Sequence, residues 1–150
     1  MYRIVFLMAG ILFSTHVNAE WWGMFSDEKN LMTVYEDNES EVQNMSIGIY
    51  EVDNIFFSKV VVPDTNIKTS RSWGKLKLRA QKQLSNFVFQ KRLEKLSFQK
   101  QALYKSYPGK KTAIKIQEGM VVKKMIENGE ATLIFGVPSK DVLFKLPPLN

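Results

Sequence analysis

The chain has 150 residues, 45% of them hydrophobic and 24% charged, with a formal net charge of +6. That is one domain's worth of sequence with an ordinary share of core-forming side chains. There is no cysteine, and the single histidine is His16. Disulfides, thiolate catalysis, zinc held on sulfur and an acylated lipoprotein cysteine are thereby excluded, and histidine-based acid–base chemistry is excluded from everything beyond residue 16.

Residues 1–19 read as a secretory signal peptide. Arg3 supplies a positive start, Ile4 to Phe13 is an almost unbroken apolar run, and Val17-Asn18-Ala19 has the small residues of a signal-peptidase site. The run is about half the roughly 20 residues needed to span a bilayer. Cleavage is expected between Ala19 and Glu20, leaving a periplasmic or secreted protein. The absence of cysteine points to a bacterial envelope, where a hydrophobic core suffices without staples.

Trp21, Trp22 and Phe25 follow the cleavage point, either tucked into the core or offered to a partner. Residues 20–44 form an acidic N-terminal arm, with Tyr35-Glu36-Asp37-Asn38-Glu39-Ser40-Glu41 reading as solvated loop. A single α+β domain is expected over 45–150. Ser46 to Val52 and Ile55 to Val62 are β-branched and aromatic, with Asp53-Asn54 as the turn between them.

Thr69-Ser70 offers a helix start, and no proline follows until Tyr107-Pro108-Gly109. This predicts one long helix, or two in series with a break near Gln90 to Lys95. At about 100° per residue, Trp73, Leu76, Ala80, Leu84, Phe87 and Val88 form one apolar stripe. Leu78, Phe89, Leu93, Leu96 and Leu103 fall roughly opposite. A helix with two stripes must be covered on two sides or meet a partner.

The last third is strand-like. Ile114, Ile116, Met120, Val122 and Ile126 share one parity across Gly119, which suits one long strand bent at the glycine or two strands that keep the same face inward. Asn128-Gly129 is the strongest local signal, because this pair takes the positive φ values of a tight hairpin turn. Folding about it pairs Ile126 with Ala131, Val122 with Phe135 and Met120 with Val137, while Lys124 faces Leu133. Val142 to Leu146 is expected as an edge strand. The fold class is therefore α+β, an antiparallel sheet packed against one long helix, continuous or broken, in the order strand, helix, strand, strand.

Charge is segregated along the chain. Residues 20–66 hold ten acidic and two basic side chains, whereas residues 67–106 hold eleven basic against Glu94 alone. Lys68, Arg71, Lys75, Lys77, Arg79, Lys82, Lys91 and Arg92 form a basic helix. It suits anionic lipid, a cell-wall polymer or an acidic protein surface, or it is a solvated face partly neutralised by the acidic arm. Phe87 and Phe89 lie on different helix faces, unlike a base-stacking platform, and export also counts against nucleic acid.

No glycine-rich phosphate loop or Gly-x-Ser-x-Gly elbow exists. Glu36, Asp37, Glu39 and Glu41 lack the ordered spacing and central glycine of a calcium loop. The sequence therefore points to a protein without catalytic residues, cofactor or metal.

Val60-Val61-Val62, Arg71-Ser72-Trp73-Gly74-Lys75-Leu76-Lys77-Leu78-Arg79-Ala80, Gly119-Met120-Val121-Val122 and Ala131-Thr132-Leu133-Ile134-Phe135-Gly136-Val137-Pro138 carry a resemblance. Their order over residues 45 to 146 resembles the strand-helix-strand-strand module of flagellum-associated envelope lipoproteins. The chain departs from that family in lacking the lipidated cysteine and in its alanine-poor helix. The resemblance implies a non-enzymatic part of an envelope assembly.

Three functional expectations follow. The first is a binding or assembly protein that joins a protein partner or a second copy through Leu78, Phe89, Leu93, Leu96 and Leu103. The second is a peripheral binder of anionic envelope surfaces through Lys75, Lys77, Arg79, Lys82, Lys91 and Arg92. The third is a carboxylate-based hydrolase.

Overall fold

The structure is a computed structural model that describes residues 26–46, 48–106 and 114–145. The expected signal peptide, the Ala19–Glu20 junction, Trp21, Trp22, Phe25, the Tyr107-Pro108-Gly109 stop and the end of the chain from Leu146 lie outside the described residues. The fold is α+β, as expected. Its elements are α1 (Ser26–Asp37), α2 (Glu39–Asn44), β1 (Ile49–Val52), β2 (Ile55–Pro63), α3 (Ser70–Leu93), α4 (Phe98–Lys105), β3 (Ile114–Ile116), β4 (Met120–Glu127), β5 (Glu130–Pro138) and β6 (Val142–Phe144).

Among the described residues the main sheet is antiparallel in the order β1-β2-β5-β4. Both of its hairpins turn on two residues with positive φ. Asp53 and Asn54 stand at 49° and 60°, and Asn128 and Gly129 at 52° and 78°. These paired left-handed residues match the twist of the flanking strands, so the two sequence signals fold as expected.

Strand alternation gives each face of the sheet its own core. Phe56, Val60, Val62, Leu133, Phe135 and Val137 point to the α3 side. Leu76, Ala80, Leu84 and Val88 of α3 meet them, all buried. Two small residues meet between helix and sheet, where the buried Ser58 hydroxyl donates to the Ala80 carbonyl at 2.9 Å. That bond satisfies the only polar side chain that β2 buries, which would otherwise cost about 1–3 kcal/mol. Gln83 adds a bond from its amide to the Gly48 carbonyl at 3.0 Å.

The long helix is interrupted, with α3 ending at Leu93 and α4 beginning at Phe98. Beyond that break, β3 and β6 pair with each other as a separate two-stranded ribbon. β6 is thus no edge of the main sheet, and β3 is no continuation of β4. The ribbon covers the far side of the C-terminal half of α3. Phe144 lies edge-on to Phe89 with centroids 6.3 Å apart, and Ile114, Val142 and Tyr104 of α4 join the same core. Phe89, Leu93 and Leu96 of the second apolar stripe are therefore covered within the chain.

The opposite face of the sheet corrects the reading of residues 20–44. Instead of a solvated loop, its described part forms α1 and α2, which cover Ile55, Phe57 and Ile134 with Leu31, Tyr35 and Val42, the last 0% exposed. Leu31, Tyr35 and Val42 recur at helical spacing among exposed acids, so the arm is amphipathic. Gly136 admits α1 at close range, since a Cβ there would stand 2.9 Å from Leu31 Cδ2 and 3.0 Å from Phe57 Cε1. Lys59 of β2 donates its ammonium to the carbonyls of Gln43 and Met45, satisfying the end of α2 with a cation where the helix dipole favours one.

Register along β4 departs from expectation. Ile126 faces Ala131 and Lys124 faces Leu133 as predicted, but a bulge at Val122 shifts the rest by one. Val121 then opposes Phe135, and Met120 opposes Gly136. Val121 consequently joins the α3-side core, while Met120 and Val122 pack toward α1 and α2. One inserted residue exchanges faces because strand side chains alternate with period two.

Candidate functional site

The first three turns of α3 present a basic face to solvent. Arg71, Lys75, Arg79 and Lys82 are spaced four, four and three residues apart, and all are exposed. That spacing puts them on one side of the helix over about 16 Å of its length. α3 contains no Asp or Glu anywhere. Arg71, in the first turn, and Lys68 just before it sit where the helix dipole favours an anion, so this end concentrates positive potential. Among the described residues none of the four face cations is in a salt bridge.

The acidic segment does not neutralise this face. α1 and α2 lie across the sheet from α3, and Glu39 reaches Lys123 of β4 at 3.2 Å. Gln43 also donates to Glu39 at 2.7 Å. The pair sits beside Tyr35, whose phenol is pushed up by burial, while the hydrogen bond and charge of Glu39 raise Lys123 above its ordinary value. The sequence-level dipole thus becomes a spatial one, acidic helices on one side of the sheet and basic helix on the other.

The predicted site residues divide. Lys75, Arg79 and Lys82 stand together on the exposed face. Lys77 turns toward the sheet, half-buried with Nζ 6.0 Å from the Phe135 ring centroid. Lys91 and Arg92 lie at the other end of α3, where Lys91 pairs with Glu51 of β1 at 2.5 Å. The proposed docking stripe does not exist as a surface. Phe89 and Leu93 are core residues, 5% and 1% exposed, and Leu96 is half-buried against the same core. Leu78 and Leu103 are exposed, but on different helices.

One surface feature escaped the sequence. On α4, Tyr104 faces inward, so Phe98, Ala102 and Leu103 face out, with Phe98 85% exposed. Lys100 and Lys105 flank that apolar ridge. The signal was present in the helical spacing, but Phe98 and Ala102 fall in line with the core stripe of α3. Only the break at Glu94 to Ser97 re-aims them.

Among the described residues no group of His, Cys, Asp or Glu is arranged to hold a metal ion, and no helix is long and apolar enough to cross a membrane. Glu36, Asp37 and Glu41 are exposed on α1 and α2. Comparison with protein-family models, with curated proteins and with solved structures finds no match to this chain.

Proposed function

We propose that this is an exported, non-enzymatic binding protein of the bacterial envelope that docks on an anionic surface through the basic face of α3. The observation that carries the reading is the placement of Arg71, Lys75, Arg79 and Lys82 together in solvent while the protein's own acids occupy the far side of the sheet. An acid-free helix with Arg71 in its first turn goes against local helix electrostatics. Such a departure marks a place where function sets the residue choice. The resemblance to flagellum-associated envelope modules points the same way, toward a non-enzymatic envelope component.

Co-sedimentation of the purified protein with vesicles tests the proposal. Vesicles rich in phosphatidylglycerol should bind it and phosphatidylcholine vesicles should not. Binding should fall steeply as salt rises from about 0.1 to about 1 M, where the Debye length shrinks from about 10 to about 3 Å. A basic side chain near an anionic surface contributes about 1 kcal/mol, so replacing all four by Gln should weaken binding by about a thousandfold. Equal binding to neutral vesicles, or indifference to salt, would remove the reading.

Assembly with a protein partner or a second copy is a second reading, and α4 supports it best, because Phe98 and Leu103 are large apolar side chains exposed on that helix. It requires an oligomer by light scattering that Phe98→Glu converts to monomer.

A further inference from the structure

The outer face of α3 carries more than charge. Leu78 stands within it, 66% exposed, between Leu76 and Ala80, which are both buried. Each of those two residues lies about 160° around the helix from Leu78, at about 100° per residue. Leu78 therefore marks the crest of the solvent face, opposite the side that packs on the sheet. Lys75 and Lys82 are its neighbours at i−3 and i+4, both exposed on the same side, and Arg71 stands two turns back.

Gly74 occupies the same face, one turn before Leu78, and is exposed as well. Glycine is disfavoured in a helix interior because it loses the most conformational freedom on folding. Packing gives no reason for it here, since a Cβ at Gly74 would meet nothing within 4 Å among the described residues. A stretch of helix without a side chain lets another surface approach the backbone closely. Two neighbours on the crest are thus at odds with a freely solvated helix, one by its apolar side chain and one by having none. The cations around them fix the sign of what approaches, because α3 holds no Asp or Glu to offset them.

We propose that the anionic surface met by α3 is a lipid bilayer, and that Leu78 enters it between the cations. This inference rests on the surface reading above and names the partner of that same face. The helix lies along the headgroups, with Gly74 admitting them close to the backbone and Leu78 reaching the boundary of the acyl chains. The long stems of Arg71, Lys75 and Lys82 accompany the helix inward while their charged ends stay among the phosphates. A hydrated polyanion such as a wall polymer offers partners to these cations but no apolar layer for Leu78. Charge and crest together therefore select lipid.

The chain has no cysteine, so single substitutions place a probe at will. Leu78→Cys, Phe98→Cys and Glu41→Cys are each labelled with an environment-sensitive fluorophore and mixed with phosphatidylglycerol vesicles. The label at position 78 should shift to the blue and be quenched by lipids spin-labelled on the acyl chain. The label at position 41, across the sheet from α3, should do neither. Without label, Leu78→Ser should weaken vesicle binding by about tenfold, as expected for one leucine partly withdrawn from water, and leave binding to soluble polyphosphate unchanged. Its salt dependence should match that of the unaltered protein, because an apolar contact is not screened, whereas Lys75→Gln with Lys82→Gln should flatten it. Leu78 and both lysines are exposed, so unchanged urea midpoints will show that the variants fold. Vesicle binding that leaves the label at position 78 in water, or shifts only the label at position 98, overturns the insertion of Leu78 and leaves the electrostatic reading standing. Failure to bind anionic vesicles at all overturns both.

Discussion

Replacing Leu31 by Ala tests whether the acidic segment is a structural half of the protein. Leu31 is 2% exposed and sits in a core ringed by Tyr35, Phe57 and Ile134, all buried. The Tyr35 and Phe57 rings already pack tilted against each other with centroids 5.8 Å apart, and Phe57 belongs to the sheet, so little can collapse into the space left behind. A buried Leu→Ala change with limited relaxation costs about 2–5 kcal/mol. The geometry at Gly136 allows a sharper form of the test. Gly136→Ala alone would place a Cβ 2.9 Å from Leu31 Cδ2 and 3.0 Å from Phe57 Cε1, an overpacking cost of about 1–3 kcal/mol. In the Leu31→Ala background the first clash is gone and the new methyl occupies part of the cavity. The double variant should then be more stable than the sum of the singles by about 1 kcal/mol. Urea denaturation followed by circular dichroism gives all four stabilities, with constant m values as the check on two-state behaviour. A Leu31→Ala cost below about 0.5 kcal/mol, or strict additivity in the cycle, would refute the packing of α1 on the sheet.

Further outcomes follow from particular contacts. Gly119→Ala should cost about 2–6 kcal/mol in the same assay, because φ is +149° and its Cβ would stand 2.4 Å from Cζ of the fully buried Phe135; a loss under about 1 kcal/mol would mean the strand entry differs. Leu93→Ala should cost about 2–5 kcal/mol whereas Leu103→Ser stays within about 0.5, separating two residues of the same sequence stripe by their burial; similar losses at both would restore the stripe as one surface. Burial raises the Tyr35 phenol from 10.0, and the hydrogen bond that Lys123 donates to Glu39 raises the lysine from 10.5. Both groups keep their protons longer in the folded chain, so their contribution is fully present below about pH 9 and declines as pH climbs past about 10. Urea midpoints measured across that range should fall, and less steeply in Tyr35→Phe; parallel declines in the two proteins would show that Tyr35 carries none of the effect.

Much of the fold was readable locally. Asp53-Asn54 and Asn128-Gly129 declared their hairpins because few residues tolerate consecutive positive φ values. The stripe of Leu76, Ala80, Leu84 and Val88 declared the buried side of α3. The bulge at Val122 was not readable, since Val121 and Val122 are equally apolar and either satisfies the strand pattern. Residues 26–44 were misread because their acids dominate composition, while Leu31, Tyr35 and Val42 are too widely spaced to register as a run. Of the candidate sites, the cations at Lys75, Arg79 and Lys82 were legible from spacing alone. Leu78 in their midst was not, because spacing groups it with Phe89 and Leu93, which the fold buries.

Local chemistry settles where the two hairpins turn, that a long helix follows Thr69, and how charge is apportioned between the two halves of the chain. These are short-range properties of backbone sterics and side-chain period. Which side of each element is covered is a different kind of question. Phe89 and Leu93 look like a docking stripe until the β3–β6 ribbon packs on them, and an acidic segment looks neutralising until the sheet stands between it and α3. Burial and charge separation depend on contacts between residues far apart in sequence, and no local pattern encodes which of several apolar surfaces will meet.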